Sequence, residues 1–439
     1  MTRPNRAWRT AVVLATASLA LTACGSSPKS GSSGSGGSSS SSSASASSSS
    51  SSSGSAAPGK GDGKLTVGTL LPQTGDLAFL GPPEFAGVQT AVDDINAAGG
   101  VLGKPVTQVK ADSGDGTPDI AGAQADKLLN ANADVVVGAA SSSVSLSVID
   151  KITGAGVVQF SPANTSPAFD NPKTDPKNLY FRTAPSDVLQ GAVLANTVIG
   201  DGKNNVAILA RQDSYGELLA AQVAKGIKAG GGNVVTKQLY SADATNFTAE
   251  VNKVAAAKPD AVVLVAFDET KKIIPQLIAR NVGPADVQTY FVDGNTADYS
   301  KDFPKGTLKG VKATYPGAQL TSTFRTRMLK TDPKLKDFTY GPEGYDATVM
   351  TALAAIEAKT DDSTTFAPDI IKVSKGGTPC SSFKACAALL KQGKDIDYQG
   401  VSGPCDLGPT GSPTKATIGI FQYSADNTYK NLKYVTGVI

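Results

Sequence analysis

The feature that most constrains this chain is a regular alternation of apolar strand-like runs and amphipathic helical runs that begins near Lys64. The run LTVGTLLP, residues 65–72, has the continuous apolar character of a buried strand. In the next stretch, residues 83–100, apolar side chains recur at helical spacing until Gly99 and Gly100 end the pattern. This alternation predicts an α/β fold with parallel sheets covered by helices on both faces.

The alternation falls into two series, which indicates two lobes. The first series contains the strand-like runs VTQVKAD, ADVVVGAA and GVVQFSPA. The second begins after NLYFRTAPS, residues 178–186, and contains NVAILARQ, GNVVTKQLY, DAVVLVAF and VQTYFVDG. The stretch from Asp62 to the C-terminus is long for one such domain, so we expect two doubly wound α/β lobes.

The N-terminus has the pattern of an export signal. Three arginines precede the apolar run AVVLATASLAL, residues 11–21, which is too short for a membrane span of about 20 residues and suits a signal-peptide core. The adjoining LTAC resembles the lipobox of bacterial lipoproteins, which implies a signal peptide over residues 1–23 and a palmitate-bearing Cys24 as the first mature residue. The alternatives are an uncleaved anchor helix or a secreted protein with a chance cysteine.

A low-complexity tract of serine, glycine and alanine follows Cys24 and extends to about Gly61. Its few apolar residues cannot offset the entropy that folding removes. As a flexible coil it would reach roughly 30 to 35 Å, so we expect residues 24–61 to tether the folded part to the extracytoplasmic face of the cell membrane. The lipid would be the chain's one contact with the membrane.

Charge and residue usage exclude several functional classes. The chain contains no histidine, which removes the usual Ser-His-Asp and Cys-His catalytic pairs and the commonest zinc ligand. Five of the 41 basic residues precede the first acidic residue, Asp62, which leaves 36 basic against 38 acidic residues in the folded part. The net charge of +3 therefore gives no indication of a nucleic-acid partner.

Three consecutive serines, Ser141 to Ser143, follow the strand predicted over residues 134–140 and begin the next helix. Ligands of open α/β sheets bind beyond the carboxyl ends of the strands. Unsatisfied N–H groups and the dipole at a helix N-terminus favour an anion such as a carboxylate there. One serine would suffice as an N-cap, and three exceed that need, so this cluster is a candidate ligand site.

The whole series of motifs resembles one family. In order along the chain, GTLLPQTG, FAGVQTAVDDINAAGGVLGKP, GAASSSV, SPANTSP, FRTAPSD, DSYGE and VDG resemble the leucine/isoleucine/valine-binding proteins, extracytoplasmic receptors of ABC importers with the type I periplasmic-binding fold. The resemblance extends from about Asp62 to the C-terminus. It implies two lobes joined by a three-stranded hinge that closes on a ligand. The first lobe would comprise residues 62–185 and 317–400, and the second residues 186–316 and 401–439.

The resemblance also implies roles for the residues of the amino-acid backbone site. Ser142, beside Ser143, resembles the serine that binds the ligand carboxylate. Ala163 and Thr165 resemble the pair whose backbone and hydroxyl groups hold the carboxylate and the α-ammonium. Asp293 falls where the family has an acidic partner of the ammonium, and the alternative for it is a solvated turn residue ahead of a glycine.

Three further positions line the implied side-chain pocket. Tyr215, in SYGE, resembles the second-lobe tyrosine that covers the ligand. Two positions depart from the family pattern: Phe267 replaces a commonly polar-tipped aromatic residue, and Leu80 stands where an aromatic residue often lines the first lobe. The resemblance therefore does not specify which ligand side chain the pocket accepts.

The function that the resemblance implies is capture of a small amino-acid-like ligand and its delivery to the permease and ATPase subunits of an ABC importer. We expect a monomer that is not an enzyme, with no cofactor, no metal and no nucleic-acid partner. The alternative is a sensor of the same fold for an amide, urea or aromatic acid, which signals through a partner.

Rival chemistries fit the sequence poorly. GGVLGKP, residues 99–105, lacks the first glycine and the Ser or Thr of a phosphate loop. DSGDGTPD, residues 112–119, has the wrong acidic spacing for a calcium loop and lacks its final Glu. SSFK, residues 381–384, has the Ser-x-x-Lys spacing of serine acylases without their other motifs.

Three cysteines remain in the folded part, and export favours disulfides. Cys380 and Cys386 bracket a short loop that enters a helix, so we pair them and expect Cys405 to be buried and free. Three buried free cysteines are the alternative.

Overall fold

The computed structural model describes residues 59–115 and 118–439. The predicted signal peptide, the lipidation site Cys24 and all but the end of the predicted tether lie outside the described residues. Within the described ranges, no helix is both long enough and apolar enough to cross a lipid bilayer.

The first sheet has five strands, all parallel, in the spatial order β2-β1-β3-β4-β5. The strands are β1 (Thr66–Leu71), β2 (Thr107–Asp112), β3 (Val135–Gly138), β4 (Val158–Ser161) and β5 (Tyr180–Arg182). Every residue of the central strands β1, β3 and β4 is buried, because helices cover both faces of a parallel sheet. β3 ends at Gly138, two residues before the predicted end.

Three helices connect these strands: α1 (Gly81–Ala97), α2 (Pro118–Asn130) and α3 (Ser142–Gly154). Prolines occupy the first turn of α1, where the missing N–H costs no intrahelical hydrogen bond. A short 3₁₀ turn, Pro167–Asp170, follows β4. We call this sheet and its helices the first lobe.

The second sheet has seven strands in the order β14-β13-β10-β9-β8-β6-β7. They are β6 (Asn205–Gln212), β7 (Asn233–Ser241), β8 (Ala261–Val265), β9 (Gln288–Phe291), β10 (Lys312–Pro316), β13 (Lys415–Tyr423) and β14 (Tyr429–Val438). The first five are parallel to one another, whereas β13 and β14 pair antiparallel at one side. The helices of this second lobe are α4 (Asp187–Gly200), α5 (Gly216–Ala229), α6 (Thr248–Ala256) and α7 (Thr270–Ile278).

After β10 the chain packs again on the first lobe. This return consists of α8 (Ser322–Thr331), α9 (Gly341–Ala358), α10 (Ser363–Val373), α11 (Phe383–Lys391) and the paired short strands β11 (Thr378–Cys380) and β12 (Ile396–Tyr398). α9 lies against α1 and α10 and is buried along most of its length. The expected α/β class with two parallel-sheet lobes is confirmed.

Three cysteines, Cys380, Cys386 and Cys405, belong to the hydrophobic core of the first lobe. A disulfide joins Cys380 to Cys386, whose Cα atoms are 5.4 Å apart, and closes the loop between β11 and α11. Cys405 is buried and free. Its Sγ lies 3.8 Å from a carboxylate oxygen of buried Asp346.

Candidate ligand-binding site

A small cavity lies where the carboxyl ends of strands from both lobes face each other, as expected for open α/β sheets. Its free volume is only about 20 Å³, room for about one water molecule, so the cavity is nearly closed. The lining residues from the first lobe are Leu77, Leu80, Ala140, Ser141, Ser142, Ala163 and Tyr340, and those from the second are Tyr215, Phe267, Asp293 and Gly294.

The N-terminus of α3 forms one wall of the cavity. Ser142 is the first residue of this helix, and Ser141 precedes it in an extended conformation. The Ser142 hydroxyl oxygen accepts the N–H of Ser166 at 3.3 Å, which leaves its own hydrogen available for donation. The hydroxyls of Ser141 and Ser143 instead form a hydrogen bond with each other, at 2.9 Å. Ser142 therefore presents a donor, beside the helix N-terminus, to the cavity.

Hydrogen bonds within the first lobe hold the loop that follows β4. Ser161 Oγ accepts the N–H of Ala163 at 3.2 Å and that of Asn164 at 2.9 Å. Because the N–H of Ala163 is used in this way, the backbone group that Ala163 can present to a ligand is its carbonyl oxygen. The Asn164 side chain donates to the carbonyls of Ala139 and Ala140 and so ties this loop to the start of α3.

Asp293 lies opposite, in a short 3₁₀ turn (Asp293–Asn295) after β9, and only 4% of it is exposed. Its Oδ1 accepts from Tyr215 OH at 2.7 Å and from Gln190 Nε2 at 2.8 Å, and its Oδ2 accepts from Tyr340 OH at 2.7 Å. This burial overturns the alternative of a solvated turn residue. All three donors are neutral, so the carboxylate is hydrogen-bonded without being neutralised.

A second buried carboxyl lies next to Asp293. Asp187, the first residue of α4, accepts from the same Gln190 amide nitrogen at 3.0 Å and from Thr165 Oγ1 at 3.0 Å. Burial raises the pKa of Asp293. The hydrogen bonds from Tyr215, Tyr340 and Gln190 lower this pKa, but by less than burial raises it. Burial raises the pKa of Asp187 well above its ordinary value, and the charge of Asp293 raises it further.

Aromatic side chains form the second-lobe wall. The rings of Tyr215 and Phe267 stack with their centres 5.4 Å apart. The Arg211 guanidinium lies 3.7 Å from the centre of the Phe267 ring and is itself paired with Asp213 and Glu269, each at 2.7 Å. These contacts hold the aromatic wall in place. Because the Arg211 guanidinium is already paired with two carboxylates, it forms no ion pair with Asp293.

The structure brings most of the candidate residues to one cavity and places two of them outside its lining. Leu80, Ser142, Ala163, Tyr215, Phe267 and Asp293 line the cavity together. Ser143 is absent from the lining and is half-buried. Thr165 is also behind the lining, where its hydroxyl donates to Asp187, so the oxygen of that hydroxyl has lone pairs rather than a hydrogen to offer.

Sequence reasoning missed Tyr340, Asp187 and Gln190. Tyr340 directly precedes α9 in a left-handed conformation with φ 59°. α9 approaches α1 so closely that a Cβ on Gly87 would lie 1.9 Å from the carbonyl oxygen of Gly341, and this packing holds Tyr340 at the cavity. The available signals were weak: an aromatic residue before a long helix, and two polar residues in the first turn of the helix after FRTAPS.

Comparison with known sequences places these features in context. The profile of the family described as "Periplasmic binding protein" matches residues 64–427. The chain is 27% identical over 366 residues to the Leu/Ile/Val-binding protein BraC3 of Rhizobium johnstonii, covering 82% of this chain and 92% of that protein. It is 26% identical over 358 residues to BasB, the chemotactic signal transduction system substrate-binding protein of Halobacterium salinarum, covering 78% and 83%.

Solved structures share the fold. The branched-chain amino acid transporter substrate-binding protein LivJ of Streptococcus pneumoniae, in complex with isoleucine, superposes with a TM-score of 0.68 at 20% identity, over 86% of this chain and 100% of that one. A solute-binding protein of an ABC transporter from R. palustris, in complex with benzoate, superposes with a TM-score of 0.68 at 18% identity, over 86% and 98%.

Proposed function

This chain belongs to the periplasmic binding protein family, and on that premise we propose that it captures an α-amino acid with a compact apolar side chain in the cavity between its lobes. It is a solute-binding protein of the branched-chain amino acid type, which confirms the resemblance in the sequence. Its named relatives are substrate-binding proteins rather than enzymes.

One observation carries the proposal: the two walls of the cavity favour opposite charges. Ser142 and the N-terminus of α3 favour a carboxylate. Asp293, on the facing lobe, is a buried carboxyl without an ion-pair partner among residues 59–115 and 118–439. A zwitterion satisfies both walls at once, and by bridging the lobes it would hold them together.

The rest of the lining suits an apolar side chain. Leu77, Leu80 and Phe267 are buried and bring only carbon atoms to the cavity. The cavity has room for about one water molecule, so a ligand enters only when the lobes move apart, and the apolar lining then favours an aliphatic group over a charged one. This preference agrees with the isoleucine bound by LivJ of Streptococcus pneumoniae.

An aromatic carboxylic acid is the competing ligand class, since the R. palustris protein of the same fold holds benzoate. Benzoate has a carboxylate for the α3 N-terminus and no cation for Asp293. It would enclose Asp293 and its neighbour Asp187 with no positive charge, which is unfavourable for buried carboxylates. The pair of acids therefore favours the amino acid.

We assign the extracytoplasmic location of the family to this chain, with Cys24 as its lipid anchor and the permease and ATPase of an ABC importer as its partners. A second candidate, ligand-dependent signalling, is favoured by the likeness to BasB, whose name places it in a chemotactic system. Both functions use the same binding event.

A ligand panel tests the proposal. The folded part is heated with leucine, isoleucine, valine, phenylalanine, benzoate and 4-hydroxybenzoate, and binding of the stabilising compounds is then measured by calorimetry. At about a thousand times its dissociation constant, a ligand adds roughly 4 kcal/mol to the unfolding free energy. We expect stabilisation by aliphatic amino acids and none by either benzoate. Stabilisation by a benzoate alone would replace the proposal with an aromatic-acid receptor.

A further inference from the structure

We propose that Asp187 is a specificity-determining residue of this site, which together with Asp293 makes the binding of an amino acid release a proton. The inference rests on the function proposed above and extends it, because it states how the site distinguishes an amine-bearing ligand from a carboxylic acid of the same shape. Asp187 does not line the cavity and acts through its neighbours.

The geometry that carries the proposal is a single amide group between two buried carboxyls. Gln190 Nε2 lies 3.0 Å from Asp187 Oδ1 and 2.8 Å from Asp293 Oδ1. The Gln190 carbonyl oxygen is near Thr314 Oγ1, at 3.4 Å, which favours this orientation of the amide. One neutral group thus holds the two acids within a short distance of each other, away from water.

Thr165 joins Asp187 to the loop after β4, in which Ala163 lines the cavity. Its hydroxyl donates to Asp187 Oδ2 at 3.0 Å, and its backbone carbonyl accepts the N–H of Asp187 at 2.7 Å. With its hydrogen directed toward Asp187, the hydroxyl oxygen of Thr165 is oriented as an acceptor for an ammonium group. Asp187 therefore positions an acceptor beside Ala163 and also adds a negative charge behind it.

Of the charged groups packed around the pair, Arg182 lowers the pKa of Asp187, but burial and the charge of Asp293 raise it by more. Arg182, on β5, directs its guanidinium to Asp170, to the hydroxyl of Ser412 and to the carbonyls of Asn164 and Ser166. Tyr215 and Tyr340 face the pair as neutral phenols, since burial raises the pKa of both well above the ordinary value. Among the residues that the structure describes, no basic side chain forms an ion pair with Asp187 or Asp293.

Two adjacent buried carboxyls without a counter-ion share a proton rather than both ionise. When the ammonium of an amino acid enters, it lies close to both acids and stabilises the doubly ionised pair. The shared proton then leaves to solvent, and the ammonium keeps its own three hydrogens. One proton is released for each amino acid bound, and no other bond is formed or broken.

A ligand without an amine produces the opposite result. 4-Methylpentanoate has the carboxylate and side chain of leucine but no cation, so the pair keeps its proton and the complex releases none. Above the raised pKa, where the free pair has lost its proton, the charge of the analogue makes the pair take a proton up again, so the analogue binds better as the pH falls. Leucine binds better as the pH rises toward the raised pKa of the pair, because below that pKa the free protein holds a proton that binding must release.

The experiment is titration calorimetry with leucine in buffers of different ionisation enthalpy, between about pH 5 and pH 7, on the full chain. The heat difference between buffers reports the protons exchanged on binding. We expect wild type to release close to one proton per leucine at some pH in this range, with the dissociation constant falling up to tenfold per pH unit. Asp187→Asn, which preserves shape, should bind leucine more weakly and with little proton release. Asp286→Asn, at an exposed position of the same lobe, is the matched control.

Thr165→Val is a second variant, and it separates the two roles of Asp187. It removes the oriented hydroxyl and keeps both acids, so leucine binding should weaken while proton release persists. The inference is overturned if wild type binds leucine without proton release, or if Asp187→Asn leaves the release unchanged; in both cases the proposed function stands. If none of leucine, isoleucine, valine and phenylalanine binds, the proposed function fails and this inference fails with it.

Discussion

The hydroxyl of Tyr340 donates a 2.7 Å hydrogen bond to Oδ2 of Asp293, which links a residue held by the first lobe to a carboxyl of the second. Tyr340 precedes α9, which packs on α1, whereas Asp293 follows β9. This hydrogen bond joins the two lobes, so it forms only when they are close together. Ligand affinity and lobe closure should therefore share this contact.

Replacing Tyr340 with Phe tests that link. The ring remains while the donor to Asp293 is lost, and a hydrogen bond to a charged group contributes about 1.5 to 3 kcal/mol. We expect leucine to bind roughly 10- to 100-fold more weakly, measured by calorimetry. Tyr434→Phe, on β14 and half-exposed, is the control and should bind as wild type does. Equal affinities for all three proteins would mean that the contact does not contribute to the bound state.

The charge of Asp293 should matter for the amine of the ligand. We expect Asp293→Asn to weaken leucine binding by on the order of 2 to 5 kcal/mol, because the buried ammonium would lose the carboxylate that lines the cavity and keep only Asp187 behind the lining. Binding of 4-methylpentanoate should weaken far less, since it has no amine. Calorimetry with both compounds measures the difference, with Asp286→Asn as the control. Equal losses for the two compounds would contradict an amine held at Asp293.

The hydroxyl of Ser142 should matter for the carboxylate. Ser142→Ala removes a donor at the N-terminus of α3, and we expect a loss of about 1.5 to 3 kcal/mol for leucine. 3-Methylbutylamine, which keeps the amine and side chain of leucine without the carboxylate, should be affected little. Ser147→Ala, exposed on the same helix, is the control. If Ser142→Ala weakened the binding of 3-methylbutylamine but not that of leucine, the ligand would lie in the reverse orientation.

Two buried acids outside the cavity predict a pH dependence of stability. Glu84 on α1 has no hydrogen-bond partner for either carboxyl oxygen among the described residues, and its pKa is raised by burial and by Glu343. Burial also raises the pKa of Glu343, to about 8. A folded state that holds these protons more tightly than the unfolded chain loses stability as the pH rises from the ordinary pKa of Glu toward the raised value.

Glu343→Gln should remove part of that loss. We expect the variant to be more stable than wild type near pH 9, by at most about 5 kcal/mol, and similar to it near pH 4. Thermal or urea unfolding at both pH values measures the effect. Glu250→Gln, half-buried on α6, should show no such crossover. If wild type is equally stable at both pH values, Glu343 ionises in the folded protein at little cost.

Replacing Cys24 with Ser in cells tests the predicted lipid anchor. Without the thiol no lipid is attached, so we expect the protein to move from the membrane fraction to the soluble extracytoplasmic fraction. Quantitative immunoblotting of both fractions measures the shift, and Ser26→Ala, in the adjoining tract, is the control. Unchanged recovery in the membrane fraction would contradict the lipoprotein interpretation.

The fold class could be predicted from the sequence because it follows from local patterns. The apolar run of β3, the helical spacing of α1 and their repeated alternation are each contained in short windows of the chain. Placing the serine cluster at the end of a strand and the start of a helix required only this order. The position of Ser142 at the cavity follows from the rule that ligands of such sheets bind at the strand ends.

Local patterns along the chain are thus enough to predict the two-lobe α/β fold and the sheet edge at which we expect the ligand. Long-range packing sets the charge and the hydrogen bonds of that edge. Asp293 receives its donors from Tyr340, 47 residues later, and from Gln190, 103 residues earlier, and Thr165 directs its hydroxyl to Asp187, 22 residues away. No local pattern specifies these partners, because hydrogen bonding and burial depend on which distant segments pack together, and these in turn set the pKa of a carboxyl.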